Sequence, residues 1–395
     1  MKKKLTILSL IFLSSLLSLG GCQKQNDKTS DKPFVVDEFY IEEALPSPSS
    51  TIVKEEEVEQ EEYDFHTPLQ AAYLESSYDK ISSFAKGTKE LSKPRYLSFE
   101  APEGTNSCIV YESDNKKSRA TAELNDDNSF AELTNLKADT SYTLQFADPN
   151  KTTVNFKTAS SLPRNLDVEG VTNVRDIGGY PSKLGGKIRQ GLYYRGGRFN
   201  YSDEETTIDE PSTFKNEITE EGYEVIVHTL GIKNEIDLRM NESHYTTTYA
   251  HEYGMMDNST YPDIEYVPFP LNWNFTNMMK DEKETIGQIF KFLANEDNYP
   301  LYIHCNIGTD RTGMITYILG CLLGIEQENL YYDYLFSNFA NINGSRDLTK
   351  IINLYQKTLL DYNDDNLHLD ACDYLADCGV NEREINNILK IFIAL

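Results

Sequence analysis

The chain has 395 residues and a mass of 45.1 kDa, more than one core of ordinary size organises, so two folded units and a tether are expected. Its 37 Lys and Arg against 63 Asp and Glu give a formal charge of -26, a field that repels nucleic acid and anionic lipid at long range. Nucleic acid is therefore excluded as a partner, and any anionic ligand has to be captured by a local basic pocket working against the global charge.

Met1 is followed by Lys2, Lys3 and Lys4, an apolar run from Leu5 to Leu19, and Gly20-Gly21-Cys22. A charged start, an apolar stretch and small residues at a cut site make a secretory signal. Because a cysteine stands directly after the small residues, residues 1–21 resemble a bacterial lipoprotein signal peptide. That resemblance implies cleavage before Cys22, lipidation of its thiol, and a lipid anchor holding the protein outside the cytoplasm on a bacterial cell membrane. An uncleaved anchor is the alternative, but the run is shorter than the roughly 20 residues a spanning helix needs. Loss of residues 1–21 removes three lysines and no acid, leaving -29.

Residues 22–62 are polar, with Pro46 and Pro48 among serines and then Glu55, Glu56, Glu57, Glu59, Glu61 and Glu62. Such a stretch cannot bury enough apolar area to offset the entropy of ordering, so a flexible acidic stalk is expected. Residues 63–160 carry, after a leading segment, period-two runs at Cys108-Ile109-Val110-Tyr111, Ser129 to Leu133 and Tyr142 to Phe146, separated by turns such as Asn125-Asp126-Asp127-Asn128. This predicts a small all-β antiparallel sandwich. The stretch from Leu133 to Tyr142 resembles the strand-turn-strand signature of fibronectin type III modules, which implies a spacer or docking surface. A plain structural extension of the following unit is the other reading.

Over residues 161–395 strands alternate with helices, which predicts an α/β unit with a central, mostly parallel sheet and flanking helices. Thr219 can cap a helix with Glu220 and Glu221 in its first turn, ending near Gly231. Strands are expected from Ile232 to Leu238, running into Arg239, and from Ile264 to Pro270. Lys283 to Leu293 places Ile286, Ile289, Phe290 and Leu293 on one helical face. Leu301-Tyr302-Ile303 is a short buried strand, and Met314 to Leu323 an apolar helix. The later aromatics Tyr331, Tyr332, Tyr334, Phe336 and Phe339 fit a packed helix face. The six cysteines make no disulfide framework. Cys372 and Cys378 could pair in an oxidising compartment, with buried free thiols the default for them and for Cys108 and Cys321.

Between that strand and that helix lies His304-Cys305-Asn306-Ile307-Gly308-Thr309-Asp310-Arg311-Thr312-Gly313. A loop feeding a helix N-terminus turns its N–H groups inward, so Asn306, Ile307, Gly308, Thr309 and Gly313 can line a phosphate cradle. The same field lowers a thiol from about 8.5 toward ~3.5 to 7.5, which makes Cys305 a thiolate nucleophile. Arg311 can give two parallel hydrogen bonds to phosphoryl oxygens. Gly308 lets the backbone turn sharply and Gly313 lets the helix pack closely. No metal or cofactor is called for, and His66, His228, His244, His251 and His368 show no ligand spacing.

This loop resembles that of the cysteine-dependent tyrosine phosphatases, and more closely the HCxxGxDRTG loop of bacterial secreted and lipoprotein phosphatases. Upstream, Asn173 to Tyr180 is similar to the family's N-x-RD-x-GG-Y segment, Leu192 to Arg198 to its L-x-YR-x-GR segment, and Ile236-Asp237-Leu238-Arg239 with Glu242 to its DLR strand end. The resemblance runs from residue 165 to the C-terminus. It implies a cysteinyl-phosphate intermediate, with Asp310 as the general acid that protonates the leaving oxygen and later activates water. Asp237 and Asp263 are the fallback acids. Arg175 and Asp176 are expected to brace the loop, against the reading of an ordinary turn before Gly178-Gly179. His304 would orient the loop, and Thr312 would donate to the sulfur and help it leave. In relatives, helices following Asn329 cover the site. Two departures stand out. Thr309 occupies a place where many phosphoinositide-accepting relatives carry lysine, and the acidic insert from Asp203 to Glu210 either screens the site or loops into solvent.

The expected function is a protein tyrosine or dual-specificity phosphatase, acting on a phosphorylated protein or a small phosphomonoester. One rival is an inositol-phosphate or phosphoinositide phosphatase, favoured if Lys or Arg side chains ring the mouth. The other is a module that binds phosphorylated ligands without turnover, which must explain why Cys305, Asp310 and Arg311 stand together.

Overall fold

The computed structural model describes residues 62–85, 93–120, 122–199, 218–239, 264–272, 276–342, 344–362 and 366–394, without the side chains of 85 and 116–120. The expected signal peptide over residues 1–21, Cys22, the expected stalk up to Glu61, the acidic insert, Glu242 and Asp263 lie outside these residues.

Eight strands come first: β1 (Glu62–Tyr63), β2 (Leu97–Glu100), β3 (Cys108–Glu112), β4 (Asn115–Ala120), β5 (Ala122–Leu124), β6 (Phe130–Leu133), β7 (Ser141–Phe146) and β8 (Thr153–Thr158). They form a sheet in the order β1-β8-β7-β3-β4 and a second in the order β2-β6-β5, antiparallel except for the β1–β8 pair. The alternation of β7 puts Tyr142, Leu144 and Phe146 on one face, where they meet Leu97, Phe99, Val110, Leu133 and Phe156 in one core. Asn128 closes the expected turn with a left-handed backbone, φ 56°, which a short polar side chain tolerates.

The segment between β1 and β2 packs away from this core. Its helix Pro68–Leu74 starts at a capping box of Thr67 and Gln70. Tyr73 then lies 5.4 to 6.0 Å, ring centre to ring centre, from Tyr332, Phe336 and Phe339 in the larger core.

The second unit adds β9 (Arg164–Asn165), β10 (Arg175–Asp176), β11 (Lys187–Ile188), β12 (Tyr193–Gly196), β13 (Asn234–Asp237), β14 (Glu265–Pro268), β15 (Leu301–His304) and β16 (Ile393–Ala394). Six of them form one sheet in the order β14-β13-β15-β12-β10-β9. The β14–β13, β13–β15 and β15–β12 pairs are parallel and the other two antiparallel, so the sheet is mostly parallel. The strands expected over 232–238 and 264–270 are shorter because register with the four-residue β15 pairs only Asn234 to Asp237, and β14 follows β13. All of β15 is buried, as an apolar strand covered on both faces requires.

Helix Lys283–Leu293 buries Ile286, Ile289, Phe290 and Leu293. Helix Asp310–Leu322 is buried on nearly every side. Thr219 caps helix Glu220–Glu224 through its hydroxyl, and a π-turn over Val225–Thr229 completes that element before Gly231. Tyr331, Tyr334, Phe336 and Phe339 are buried core residues. Cys321 and Cys378 are buried free thiols and Cys108 a half-buried one, so Cys372 and Cys378 do not pair; Cys372 is not a free thiol. Among the described residues no helix is long and apolar enough to cross a membrane.

The two units meet at a polar seam. The buried Arg164 guanidinium donates to the carbonyls of Asn135 (2.6 Å) and Leu136 (2.8 Å) on one side and to Asp176 Oδ2 (2.6 Å) on the other. The Gln190 amide exchanges both hydrogen bonds with the backbone of Ala138, at 2.9 and 2.8 Å. Each of these groups finds its partner across the seam, which is what allows them to be buried there.

Candidate active site

Cys305 follows β15, at the carboxyl end of the central strand, where open α/β sheets gather their ligands. Helix Asp310–Leu322 begins just beyond, with no side-chain cap from Thr309. Among the described residues no hydrogen bond consumes the N–H groups of Asn306, Ile307, Gly308 or Thr309, so they remain available to an anion. Gly308 makes the turn at φ 69°, and a Cβ there would lie 2.1 Å from the Gly196 carbonyl oxygen. Only glycine lets the loop sit this close to β12. A Cβ on Gly313 would come within 3.1 Å of the Tyr334 ring, which packs against that face.

If the N–H groups of such a loop face inward, its carbonyls face the scaffold and need donors there. Two side chains and one backbone N–H supply them. Asn173, itself left-handed at φ 65°, donates Nδ2 to the Ile307 carbonyl (2.9 Å), the Thr309 hydroxyl (3.2 Å) and the Ser337 hydroxyl (3.2 Å). Arg195 Nη2 donates to the Gly308 carbonyl at 2.7 Å. Arg198 donates its N–H to the Asn306 carbonyl at 3.1 Å and its guanidinium to the Asn306 side chain. Asp333, buried in helix Gln327–Phe336, holds Arg195 Nη1 at 2.5 Å and Arg175 Nε at 3.1 Å. Arg175 also donates to Asn173 Oδ1, so it braces the loop through its neighbours.

The Cys305 sulfur is buried, which alone pushes its thiol up. The Arg311 guanidinium, then the Thr312 hydroxyl and N–H, outweigh that effect and bring it down to about 7, against the opposing charge of Asp310. The Thr312 hydroxyl has no other hydrogen-bond partner among the described residues. Arg311 is anchored by Nη1, which donates to the carbonyls of Leu238 (3.1 Å) and Leu271 (3.3 Å). Among the described residues its Nε and Nη2 have no hydrogen-bond partner, and those two donors make a bidentate clamp.

His304 is fully buried beneath the loop. Its Nδ1 faces the Cys305 carbonyl at 3.0 Å and its Nε2 faces Glu235 Oε1 at 2.8 Å, both acceptors. Burial lowers its pKa, but the charges of Asp237 and Glu235 win and raise it, so the ring can donate from both nitrogens. Asp237 is chelated by Arg239, at 2.9 Å to Nε and 2.7 Å to Nη2, and accepts from the Tyr266 hydroxyl at 2.8 Å.

Asp310 sits in a cationic clasp. Its Oδ1 accepts from Lys350 Nζ at 2.7 Å and from the Tyr334 hydroxyl at 3.3 Å, and its Oδ2 from Arg346 Nη2 at 3.2 Å. Burial would raise this carboxyl, yet Arg346 and Lys350 hold it below its usual value.

The fold thus gathers Cys305, His304, Asp310, Arg311 and Thr312, with Arg175 one step behind. Three expectations need correction. Asp176 does not brace the loop: it is buried against Arg164 and accepts the N–H groups of Gly178 (2.8 Å) and Gly191 (2.7 Å). Asp237 is unsuited as a fallback acid, because its pairing with Arg239 keeps it ionised. The Thr309 side chain is buried against Asn173, on the scaffold side of the loop, leaving only its N–H for the cradle. Arg195, Arg198 and Asn173 stood inside the segments already singled out, but with no role attached. Asp333, a lone carboxylate between Tyr332 and Tyr334, was a detectable signal, since a charge on an aromatic helix face is buried only when paired. Arg346, Lys350 and Glu235 had none.

A mostly parallel sheet whose central strand ends in a cysteine loop and a helix N-terminus defines an α/β fold of the phosphatase class. The chain belongs to the tyrosine phosphatase family, whose model matches residues 166–392. Over 106 residues, 26% of this chain, it is 30% identical to a Dictyostelium discoideum protein named "Probable tyrosine-protein phosphatase DG1060", and the match spans 60% of that protein's length. Among solved structures, the core catalytic domain of PP-IP phosphatase SIW14 from S. cerevisiae in complex with citrate is 17% identical, covering 48% of this chain and 90% of that one at a TM-score of 0.28. A second structure, of the Siw14 catalytic core, is 16% identical, covering 47% and 89% at a TM-score of 0.27. Likenesses at those scores carry no argument for fold or function.

Proposed function

We propose that this phosphatase cleaves phosphate monoesters through a cysteinyl-phosphate intermediate, most naturally on phosphotyrosine or another accessible ester. The Cys305 thiolate attacks phosphorus, a P–S bond forms as the P–O bond breaks, and the leaving oxygen takes a proton from Asp310. Water then attacks phosphorus, gives its proton to Asp310, and the P–S bond breaks to return the thiolate. Arg311 and the loop N–H groups hold the equatorial oxygens throughout. The observation that carries this reading is a buried thiol pulled down to about 7 beside loop N–H groups that no acceptor among the described residues takes. Phosphate release from a phosphotyrosine peptide by the full chain, with a trapped phosphocysteine at residue 305 in rapid-quench mass spectrometry, tests it. Turnover that survives Cys305→Ser rejects it, and tight peptide binding without phosphate release favours the non-catalytic binder.

A second reading, a phosphatase of inositol phosphates or similar polyanions, draws support from Arg346 and Lys350 beside Asp310, which bring cations to the site despite Thr309. For the rest of the chain we propose a cleaved signal over residues 1–21, a lipid anchor at Cys22 on the outer side of a bacterial cell membrane, a stalk over 22–62, and a fibronectin type III-like spacer within 63–160 ahead of the phosphatase unit at 161–395. The Tyr142 hydroxyl, which accepts the Lys137 N–H at 2.8 Å, is the corner tie such sandwiches use. Cys22→Ala should move the protein from the membrane to the soluble fraction; retention on the membrane rejects the anchor.

A further inference from the structure

Resting on the phosphatase reading above, we propose that Arg346 and Lys350 form a receptor for a second phosphate of a small polyol ester, and that drawing them onto it frees Asp310 to donate its proton.

As it stands, Asp310 is in the wrong state for an acid. Two cations and a phenol hydroxyl point at its oxygens, so at neutral pH it is a locked carboxylate with no proton to give. The backbone that carries the cations is held without help from the Asp310 carboxylate. Asn338 accepts the Arg346 N–H at 2.7 Å and donates to the Arg346 carbonyl at 3.0 Å, which fixes the backbone there. The Tyr355 hydroxyl donates to the Asp310 carbonyl at 3.2 Å, pinning the stretch that carries Lys350 over the helix start. Both cationic side chains reach solvent, Lys350 with 31% of its side-chain surface exposed. They stand on the carboxylate of Asp310, the residue before Arg311 at the end of the loop that carries Cys305.

A phosphate carries about -1.5 to -2 charges at neutral pH and three acceptor oxygens, against one charge on Asp310, so a neighbouring phosphate outcompetes the carboxylate for both cations. Asp310 is then left buried beside a negatively charged reacting phosphate, with the Tyr334 hydroxyl and the helix start favouring its ionised form but both cations withdrawn, and takes a proton from solvent. That proton passes to the leaving oxygen as the P–O bond breaks and the P–S bond forms. The receptor is a pair of cations on a braced backbone beside the loop that carries the nucleophile. Phosphates on adjacent ring carbons meet it with no ordering cost, whereas acidic side chains of a peptide must be immobilised first.

The test is steady-state turnover by the full chain of myo-inositol 1-phosphate, myo-inositol 4,5-bisphosphate and a glutamate-flanked phosphotyrosine peptide. Lys350→Gln and Arg346→Gln are compared with wild type, with thermal melts showing which variants fold. The general-acid contribution of 10² to 10⁴ sets the expected wild-type preference in kcat for the bisphosphate at about a hundredfold. Each variant should raise kcat on the monophosphate while cutting kcat/KM on the bisphosphate, shrinking the preference at least about tenfold. A fall on both esters together, or a rise in KM for the bisphosphate with monophosphate kcat unmoved, overturns the release of Asp310. Opposite shifts seen with the peptide but not with the bisphosphate overturn the polyol assignment. Turnover independent of Cys305, measured with Cys305→Ser, overturns the parent reading and this one with it; Cys305-dependent turnover with no bisphosphate preference overturns this one alone.

Discussion

Arg195 Nη2 lies 2.7 Å from the carbonyl oxygen of Gly308, so the turn of the phosphate loop hangs on a guanidinium that is itself held by Asp333. All three groups are buried, and none can be replaced by water without opening the core. Arg195→Met breaks the buried pair with Asp333 and removes the donor to Gly308, and should cost ~3 to 5 kcal/mol. Pairing it with Asp333→Leu should add to the loss, because Arg175 then loses its buried carboxylate as well. Urea unfolding and kcat/KM on the three proteins check this; wild-type kcat/KM in an Arg195→Met protein that still folds would show that the bond to Gly308 does not position the loop.

Cys305 should react as a thiolate well below the range of a free cysteine. With its pKa near 7, the rate of alkylation by iodoacetamide should rise with pH and reach half its plateau near neutrality, against about 8.5 for an unperturbed thiol. Arg311→Met removes the largest charge that lowers it and should move the midpoint upward, and Thr312→Ala should move it less. A wild-type midpoint at or above about 8.5 contradicts the electrostatics of the loop.

Asp237 should matter for stability and not for proton transfer. Burial pushes its carboxyl up, but the Arg239 guanidinium and then His304 hold it well below the usual carboxylate range. A depressed folded pKa adds stability that is fully present above the ordinary value of 3.8 and fades as pH falls through the folded one. The gap in unfolding free energy between wild type and Asp237→Asn should therefore be flat, at ~3 to 5 kcal/mol, down to about pH 5 and narrow in more acid solution. Denaturation series at several pH values measure it. A variant of unchanged stability that has lost the acid-dependent part of kcat would instead make Asp237 the proton donor.

Gly308→Ala places a methyl where the Gly196 carbonyl already stands, 2.1 Å away, on a left-handed backbone. The loop has to lift, and a shift near 1 Å costs on the order of 10²-fold in rate. Inhibition by inorganic phosphate should weaken along with kcat, while the far-ultraviolet spectrum keeps its shape. Wild-type affinity for inorganic phosphate in this variant would mean that the cradle does not depend on that close approach.

Much of the scaffold is legible without coordinates because it is locally encoded. Helix Lys283–Leu293 has the bounds its apolar period sets, and Leu301 to Ile303 leads into the loop as expected. The spacing of Cys305 and Arg311 places both on one turn of strand, loop and helix, since a dozen residues leave the backbone little choice once Gly308 marks the turn. Thr219 and its two glutamates announce a helix start for the same reason.

What tertiary structure alone decided is which distant charges meet. Asp333, Arg346 and Lys350 lie well beyond the loop in sequence, and Arg195 and Asp237 well before it, yet all five reach the same end of the sheet. No periodicity carries that information, because the energy of a buried ion pair depends on distance and solvation, which follow from strand order and helix packing. The same packing made Asp237 a bound partner of Arg239 and Asp176 a partner of Arg164, two carboxylates that a linear reading placed nearer to the chemistry. Residue type told which atoms could do the work, and the close-packed interior determined which of them were free to do it.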